Sequence, residues 1–286
     1  MKKIGFIDYY LDEWHANNYP NWIRECASGN GLEWDVAFAW AEKDKEDGLS
    51  SKAWCEAQNV QWLDSVEELV QQSDAIIVLS PDHPEHHERL AQEALRSGKP
   101  VYMDKTFSPD LAAGIRMFEL AERHKTPLFS SSALRFATEL AAFPNEQVNR
   151  ESLEAVTTSG PGQFANYAVH QLEMIVTMMG VGAQQVKSLS SSQSRLLVID
   201  YPEGKQASLS QTANAPFQIG LQLSSGEGMF FAQCSDIFPR LIEAILRFFE
   251  TGEAPVPKEE TLEIMALLEA GQQALTTRDT WIPVKK

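Results

Sequence analysis

The first half of the chain alternates short apolar runs with longer helical stretches, and this alternation limits the possible folds more than any other feature. Residues 75–79 are apolar at every position, as a strand buried on both faces requires. Short connections join the segments, which is typical of βαβ units. The pattern predicts an α/β fold with a doubly wound, Rossmann-like parallel sheet. Its predicted strands are Lys3–Ile7, Trp34–Trp40, Val60–Leu63, Asp74–Leu79, Val101–Met103 and Leu128–Ser130.

Capping signals mark the helices between these strands. The predicted helices are Asn21–Ser28, one starting at a Ser65 and Glu68 capping box, His86–Ser97, and one from Ser108 and Pro109 to about Lys125. Residues 12–19, before the first helix, are dense in polar and aromatic side chains. Two interpretations stay open for them. They form a surface loop held by its own side chains, or they remodel the cofactor entrance or supply substrate contacts, with His15 and Asn17 as candidates.

The pattern changes from about Ala133. Four strands separated by turn signals and three helices follow: Arg195–Tyr201, Gln206–Gln211, Ile219–Ser224 and Met229–Cys234, then His170–Met179, Pro239–Thr251 and Lys258–Thr277. Hairpin-like spacing predicts a mostly antiparallel open sheet. We therefore expect a nucleotide-binding-like domain over residues 1–132 and an α+β substrate and oligomerisation domain over residues 133–286.

Composition narrows the class of partner. The net charge of −16 argues against nucleic acid, which requires a basic face, and does not favour an anionic membrane surface. The three cysteines form no CxxC pair, so neither a disulfide framework nor a zinc site is indicated. No apolar run is long enough to span a bilayer. We expect a cytoplasmic protein whose partner is a small molecule.

Several motifs in order resemble the Gfo/Idh/MocA family, named for glucose-fructose oxidoreductase and inositol dehydrogenase. They are Val78–His86, which is similar to the family's TPxxxH turn; Ala94–Val101, similar to its AL-x-x-GKPV segment; Asp104-Lys105-Thr106, in place of its Glu-Lys-Pro; Gly162–Glu173, similar to its D-x-x-x-H-x-x-D helix start; and Phe238–Val284, similar to its closing helix pair. The resemblance covers nearly the whole chain. It implies an NAD(P)-dependent oxidoreductase that transfers a hydride to or from a sugar, cyclitol or related polyol, and a homo-oligomer.

The resemblance also implies roles for individual residues. Lys105 and His170 are the expected catalytic residues. The expected substrate contacts are Arg135, Asn166 and Glu173, to which segment 12–19 adds His15 and Asn17 as candidates independently of the resemblance. The expected cofactor positions are Asp8, Tyr10, Glu42, Ser80, Pro81, His86 and Asp104. Glu42, shortly after the second strand, is where an acid holds an adenosine ribose, and this favours NAD over NADP. Arg135 has a second interpretation, as a salt bridge of the hinge region.

Two departures from the family pattern affect the chemistry. Asp8, Tyr10 and Glu13 stand near the positions of the glycines that let backbone approach a pyrophosphate, and two added carboxylates repel it. The dinucleotide then binds weakly, binds displaced or does not bind. Asn166 stands where the family usually has an aspartate and cannot take up a proton at neutral pH. The alternative function is a non-catalytic ligand-binding or regulatory relative that has lost the cofactor, and a third possibility is a non-redox enzyme such as a hydrolase or lyase.

The histidines near position 85 invite a metal hypothesis. His83, His86 and His87 lie beside Asp82 and Glu85, but their spacing matches no strong metal signature. Acidic residues at a helix N-terminus explain Asp82 and Glu85 better. The sequence therefore predicts no metal site.

Overall fold

A computed structural model describes residues 1–191, 194–277 and 279–286. These residues form two compact units. The first comprises Met1–Ser131 with Pro239–Pro257, and the second Ser132–Phe238 with Lys258–Lys286.

The first unit is built on a six-stranded sheet whose strands are all parallel. They are β1 (Lys2–Asp8), β2 (Trp34–Ala41), β3 (Gln61–Trp62), β4 (Ala75–Val78), β5 (Val101–Met103) and β6 (Leu128–Ser130). The strand order is β3-β2-β1-β4-β5-β6. Strands β2 and β3 are added on one side of β1, and β4 to β6 on the other, so the order reverses at the boundary between β1 and β4. This is the topological switch point at which α/β sheets bind ligands. The predicted Rossmann-like sheet is confirmed.

The helices of this unit begin and end close to the predicted positions in some places and not in others. They are α1 (Trp14–Asn30), α2 (Ser51–Gln58), α3 (Val66–Gln72), α4 (His87–Leu90), α5 (Gln92–Arg96) and α6 (Leu111–His124). The Ser65 side chain caps α3 as predicted, accepting from the Glu68 amide. The predicted helix His86–Ser97 is broken into two short helices. The predicted start of α6 at Ser108 is wrong, because Asp110 accepts the Ala113 amide and caps the helix instead.

The start of α1 differs most from the prediction. The helix begins at Trp14 and not at Asn21, and it carries Pro20 in its interior. A proline inside a helix removes a hydrogen bond and costs about 3 kcal/mol. Here His15, Tyr19, Pro20 and Ile23 are all buried against the sheet, and this packing offsets the cost. Residues 14–19 are therefore helical and the surface-loop interpretation is wrong for them.

The second unit contains a seven-stranded mixed sheet with the order β12-β11-β7-β10-β9-β8-β13. Its strands are β7 (Leu153–Gly160), β8 (Gln185–Ser188), β9 (Arg195–Asp200), β10 (Gln206–Gln211), β11 (Gln218–Leu223), β12 (Gly228–Phe231) and β13 (Ile282–Pro283). The remaining helices are α7 (Thr138–Ala141), α8 (Phe164–Met179), α9 (Ile237–Thr251) and α10 (Lys258–Thr276). All pairings are antiparallel except β7 with β10. The predicted, mostly antiparallel sheet is confirmed, although the sequence pattern did not predict β7, β8 or β13.

Most of α9 packs with the first unit, although the sequence-based division assigned it to the second domain. Phe248 lies edge-on to Phe129 of β6, with ring centroids 4.8 Å apart. Phe249 contacts Trp34 of β2, whose indole also donates to Glu250. Aromatic burial thus draws this late segment back onto the first sheet.

No helix in the described part of the chain is both long enough and apolar enough to cross a membrane.

Removing the Phe248 ring tests this packing. Phe248 is 1% exposed, so Phe248→Ala should lower the free energy of unfolding by about 3 to 5 kcal/mol. The measurement is urea denaturation followed by tryptophan fluorescence. Phe230→Ala is the matched control, because Phe230 is 67% exposed and should change the free energy by less than about 0.5 kcal/mol. Equal losses in the two variants would contradict the assignment of α9 to the first core.

Candidate functional site

The first unit gathers its polar side chains at the carboxyl edge of the sheet, next to the switch point. Strand β1 ends at Asp8, β4 runs into a turn at Ser80, and β5 is followed by Asp104 and Lys105. Ser80 has a left-handed φ of 85°, a conformation that costs free energy for a residue with a side chain and is concentrated at functional sites. These three strand ends define what we call the switch-point site.

The connection from β1 to α1 lacks the glycines of a dinucleotide-binding turn. Glu13 caps the helix instead: its carboxylate accepts from the His15 amide at 2.7 Å and from the Ala16 amide. The N–H groups that hold a pyrophosphate in a Rossmann fold are here satisfied by the protein's own carboxylate.

His15 and Asp104 form a buried pair across the site. The Nδ1 atom of His15 contacts Oδ2 of Asp104. The imidazole stacks on the fully buried Tyr19, with ring centroids 5.1 Å apart and planes 11° from parallel. The other oxygen of Asp104 accepts from the Lys105 amide at 2.8 Å. The histidine of segment 12–19 thus lies beside the predicted catalytic lysine, although 89 positions of sequence separate it from Asp104.

Three carboxyl groups lie close together in this region, those of Asp8 and Asp104 buried and that of Glu13 half-buried, and their pKa values diverge. Burial and the neighbouring Glu13 carboxylate raise the pKa of Asp8 well above its usual range. Burial also raises the pKa of Glu13 to about 7, although His15 and the amide hydrogen bonds oppose the rise. Burial would raise the pKa of Asp104 too, but the charges of His15 and Lys105 and the hydrogen bond to His15 lower it. In the described part of the chain, Oδ2 of Asp8 has no hydrogen-bond partner.

The charge on His15 follows from the same contacts. Burial lowers its pKa, but the charge and hydrogen bond of Asp104, together with Glu13, outweigh burial and raise it. A raised histidine pKa stabilises the fold below the ordinary histidine range, and this stabilisation is lost as pH rises through the folded-state pKa. The lowered pKa of Asp104 stabilises the fold above the ordinary carboxyl range. This stabilisation is lost as pH falls through the folded-state pKa. The ion pair is therefore strongest between those two limits.

Lys105 is almost completely buried, with 9% of its surface exposed. Its Nζ atom donates to the Pro81 carbonyl at 3.2 Å and lies 3.5 Å from Oδ1 of the exposed Asp82. The turns after β4 and β5 are held together by His87, whose two ring nitrogens lie 3.0 Å and 3.1 Å from the carbonyl oxygens of Phe107 and Ser80. Lys105 is thus fixed between two braced turns.

Tyrosines and histidines line the outer side of the site. Tyr10 Oη lies 3.2 Å from Nε2 of His83, and Tyr9 packs on the His86 ring at 4.0 Å between centroids. One ligand-type atom from each of His83, Glu85 and His86 lies within 4.8 Å of the others. The sequence groups these three residues, but their spacing predicted no metal site. The predicted absence of a metal stays a prediction, because hydrogen bonds and ring stacking account for the contacts shown.

Two other predicted residues have structural partners. Glu42 directly follows β2, as expected for a ribose-binding acid, and forms an ion pair with Arg89. Asn17 faces α2, where its side-chain oxygen accepts from the Trp54 indole at 2.7 Å and its nitrogen donates to Asp12 at 3.0 Å. The amide of Asn17 is therefore occupied in holding two helices together.

In the second unit, the predicted acid/base histidine lies on α8. Nδ1 of His170 is 2.7 Å from the Ser132 hydroxyl, and its ring packs against Tyr167 and Phe217. Asn166 is exposed. Because it lies four residues before His170, the two side chains share a helix face.

Arg135 and Glu173 are joined in a buried ionic network. Arg135 donates to Glu173 and, at 2.7 Å, to Glu260, which also pairs with Arg150. Burial lowers the pKa of Arg135, but the two carboxylates outweigh it and raise the value. Glu173 also accepts the Ser132 amide at 3.0 Å. These contacts agree with the salt-bridge interpretation of Arg135, while substrate roles for Arg135 and Glu173 stay predictions.

Sequence reasoning missed the cap formed by Glu13 and the contact of His15 with Asp104. One signal was available: an acidic residue just before an amphipathic stretch is a candidate for an N-cap. The predicted helix began at Asn21, directly after Pro20, so Glu13 lay too far from its start to be considered as a cap. No sequence pattern predicted the ring contacts of Tyr9.

A parallel, doubly wound sheet with the order β3-β2-β1-β4-β5-β6 defines the Rossmann class of fold. Within that class, residues 42–132 match the model of the Gfo/Idh/MocA family, described as "Oxidoreductase family, NAD-binding Rossmann fold". The predicted resemblance to this family is confirmed. No curated protein matches the chain in a sequence search.

Solved structures of similar fold cover essentially the whole chain. The scyllo-inositol dehydrogenase from Lactobacillus casei is 14% identical, with a TM-score of 0.79 over 99% of this chain and 98% of that one. The WlbA dehydrogenase from Bordetella pertussis, solved with NADH and UDP-GlcNAcA, is 15% identical, with a TM-score of 0.76 over 100% of both chains. The UDP-N-acetylglucosamine 3-dehydrogenase GnnA from Acidithiobacillus ferrooxidans is 12% identical, with a TM-score of 0.73 over 97% and 98%. At these identities the likeness shows the fold.

The contact of His15 with Asp104 leads to a spectroscopic prediction. Asp104→Asn removes the charge that raises the pKa of His15, so that pKa should fall below its wild-type value because burial then dominates. The measurement is an NMR titration of the His15 ring. Asp47→Asn, which changes an exposed acid in the loop after β2, is the control and should leave the titration in place. An unchanged His15 pKa in Asp104→Asn would contradict the pairing.

Proposed function

We propose that the protein is an NAD(P)-dependent oxidoreductase that transfers a hydride to or from a sugar, cyclitol or related polyol. The observation that carries this proposal is Lys105. A nearly buried ammonium at the carboxyl edge of β5, held by the Pro81 carbonyl and not tightly paired with an acid, is suited to orient a hydroxyl group. Burial strengthens such an interaction because water screens it less.

The switch-point site suits the adenosine ribose of the cofactor but obstructs its diphosphate. Glu42 stands where an acid binds the adenosine ribose, once its pairing with Arg89 yields, and it favours NAD over NADP. Ser80, Pro81 and His86, which follow β4, are the further proposed contacts of the cofactor. The diphosphate meets an obstacle, because Glu13 already satisfies the N-terminus of α1. The free space beside Glu13, Asp8 and Tyr10 is about 10 Å³, roughly the room of one water molecule.

A proton on Glu13 resolves this conflict. Its pKa of about 7 means that the side chain gains or loses a proton near physiological pH. The neutral acid neither repels a diphosphate nor caps the helix as strongly as the carboxylate, so it can turn away from the His15 and Ala16 amides. Because an anionic ligand favours the protonated form, binding takes up a proton, and affinity falls as pH rises through 7.

The chain's own residues then account for the remaining chemistry. When bound, the nicotinamide supplies the hydride acceptor or donor. Lys105 donates a hydrogen bond to the reacting oxygen and stabilises negative charge on it. The pair of His15 and Asp104 fixes the backbone that carries Lys105. The family resemblance assigns the hydroxyl proton to His170, because an imidazole can act as a general acid or base.

The substrate class is supported by the related structures. Their names specify an inositol in one case and UDP-linked amino sugars in the others. All are polyhydroxylated small molecules with a secondary alcohol available for oxidation. A homo-oligomeric state is a further expectation from the family.

The proposal is tested with Lys105→Met, which keeps the length of the side chain and removes its charge. Wild type should bind NADH and turn over at least one inositol or sugar in a substrate panel. Lys105→Met should retain NADH binding and lose about 10²- to 10⁴-fold in kcat/KM, the usual size of a positioned proton or hydrogen-bond contribution. NADH binding is followed by energy transfer from tryptophan and turnover by absorbance.

The control is Lys52→Met, an exposed lysine on α2, which should behave as wild type. No NADH binding to wild type at millimolar concentration would overturn the proposal and favour the ligand-binding relative. Turnover that survives in Lys105→Met would overturn the role of Lys105.

A further inference from the structure

The second unit contains a polar cavity of about 430 Å³. Its described lining comes from the residues just before α8, the end of β8 and three serines after it, the start of β9, the end of β10 and the end of α10. This volume lies within the range of small-molecule sites. Of its described lining, only Gly162 and Gln163 belong to a sequence motif discussed above.

Gln211 is the most informative residue of the lining. It is 5% exposed, and neither its amide nitrogen nor its amide oxygen has a hydrogen-bond partner among the described residues. Leaving a buried amide unpaired costs free energy, and native proteins rarely accept that cost without a bound group. The nitrogen requires an acceptor and the oxygen requires a donor. A ligand that satisfies Gln211 therefore carries both.

Arg195 supplies the charge. It pairs with Gln211 across β9 and β10 in the antiparallel register, so the two side chains lie on the same face of the sheet. The Arg195 side chain is exposed, and no ion pair or hydrogen bond joins it to another side chain among the described residues. The described lining contains no acidic residue. In a protein of net charge −16, this is a local cationic site, and a guanidinium binds carboxylate or phosphate through two parallel hydrogen bonds.

The start of α8 adds a second source of positive potential. The helix is 16 residues long, its N-cap Gln163 makes no side-chain capping bond, and its first turn contains no acidic residue. Gln163 lines the cavity. Uncompensated helix N-termini attract anions. Hydroxyl groups of Ser188 and Ser190 complete the lining and can both donate and accept.

We propose that this cavity binds a small hydroxylated oxyanion, a sugar phosphate or a sugar acid. The oxyanion pairs with Arg195 near the start of α8, and hydroxyl groups of the same molecule satisfy the amide of Gln211. The site lies within the second unit and does not depend on the dinucleotide, so it stands or falls separately from the proposed oxidoreductase activity.

The test is calorimetric titration of the full chain, without NAD(P), with four probes: glucose 6-phosphate, glucuronate, glucose and inorganic phosphate. One of the first two should bind at least about tenfold more tightly than either glucose or phosphate, since both parts of the ligand contribute. Which of the two binds identifies the oxyanion.

Two variants locate the binding. Arg195→Gln and Gln211→Leu should each weaken it tenfold or more, while Arg123→Gln, an exposed arginine of α6, should not. Gln211→Leu is expected to fold, because it removes an unpaired amide and leaves an apolar group of similar size. On the wild type, the side-chain NH₂ signal of Gln211 should shift in NMR spectra as the probe is added.

Three results would overturn the proposal. The first is that no probe binds at millimolar concentration, which would mean that water alone fills the cavity. The second is equal binding of inorganic phosphate and glucose 6-phosphate with no binding of glucuronate, which would mean that hydroxyl groups are not recognised. The third is binding that leaves the Gln211 signal unmoved.

Discussion

The N-terminus of a helix that follows a buried strand leaves backbone N–H groups without partners, and the first unit depends on how this chain satisfies them. In a dinucleotide-binding fold, glycines keep that position open and the cofactor's diphosphate supplies the acceptor. Here Glu13 supplies it. The carboxylate fixes the first turn of α1, and that turn places His15 against Asp104. Asp104 in turn holds the backbone amide of Lys105.

Confining carboxyl groups in so small a volume has a consequence for their protonation. Ionising Asp8, Glu13 and Asp104 together costs free energy, because burial and mutual repulsion disfavour the ionised forms. The histidine and lysine beside Asp104 keep that carboxyl ionised, while the pKa values of Asp8 and Glu13 rise. The site is therefore a region in which proton uptake and the binding of an anion are coupled. The cavity of the second unit has the opposite character, with an unpaired arginine and no acid in its described lining.

The sequence predicted the parts of the fold that rest on local pattern. The continuous apolar run of β4 and the cap at Ser65 are strong local signals. The strands β9 to β12 were found because turn residues separate them. Tertiary contacts overrode local preference elsewhere: α1 continues through Pro20 because its buried face repays the lost hydrogen bond. The return of α9 to the first sheet depends on Phe248 meeting Phe129, which no spacing reveals. In the site, a motif predicted Lys105. Its neighbour His15 was a candidate in only one of the two interpretations of segment 12–19, because the contact of His15 with Asp104 depends on the tertiary fold.

The central claim is that Glu13 must gain a proton when a dinucleotide binds at the N-terminus of α1. The direct test is calorimetry of NADH binding in two buffers of different ionisation enthalpy, because the difference counts the protons exchanged. At pH 8 the wild type should take up nearly one proton, and at pH 6 only about a tenth, for a group with a pKa of about 7. Glu13→Gln should bind NADH more tightly at pH 8 and take up almost none, whereas Glu25→Gln on the outer face of α1 should match the wild type. Tight NADH binding by the wild type at pH 8 without proton uptake would contradict the account.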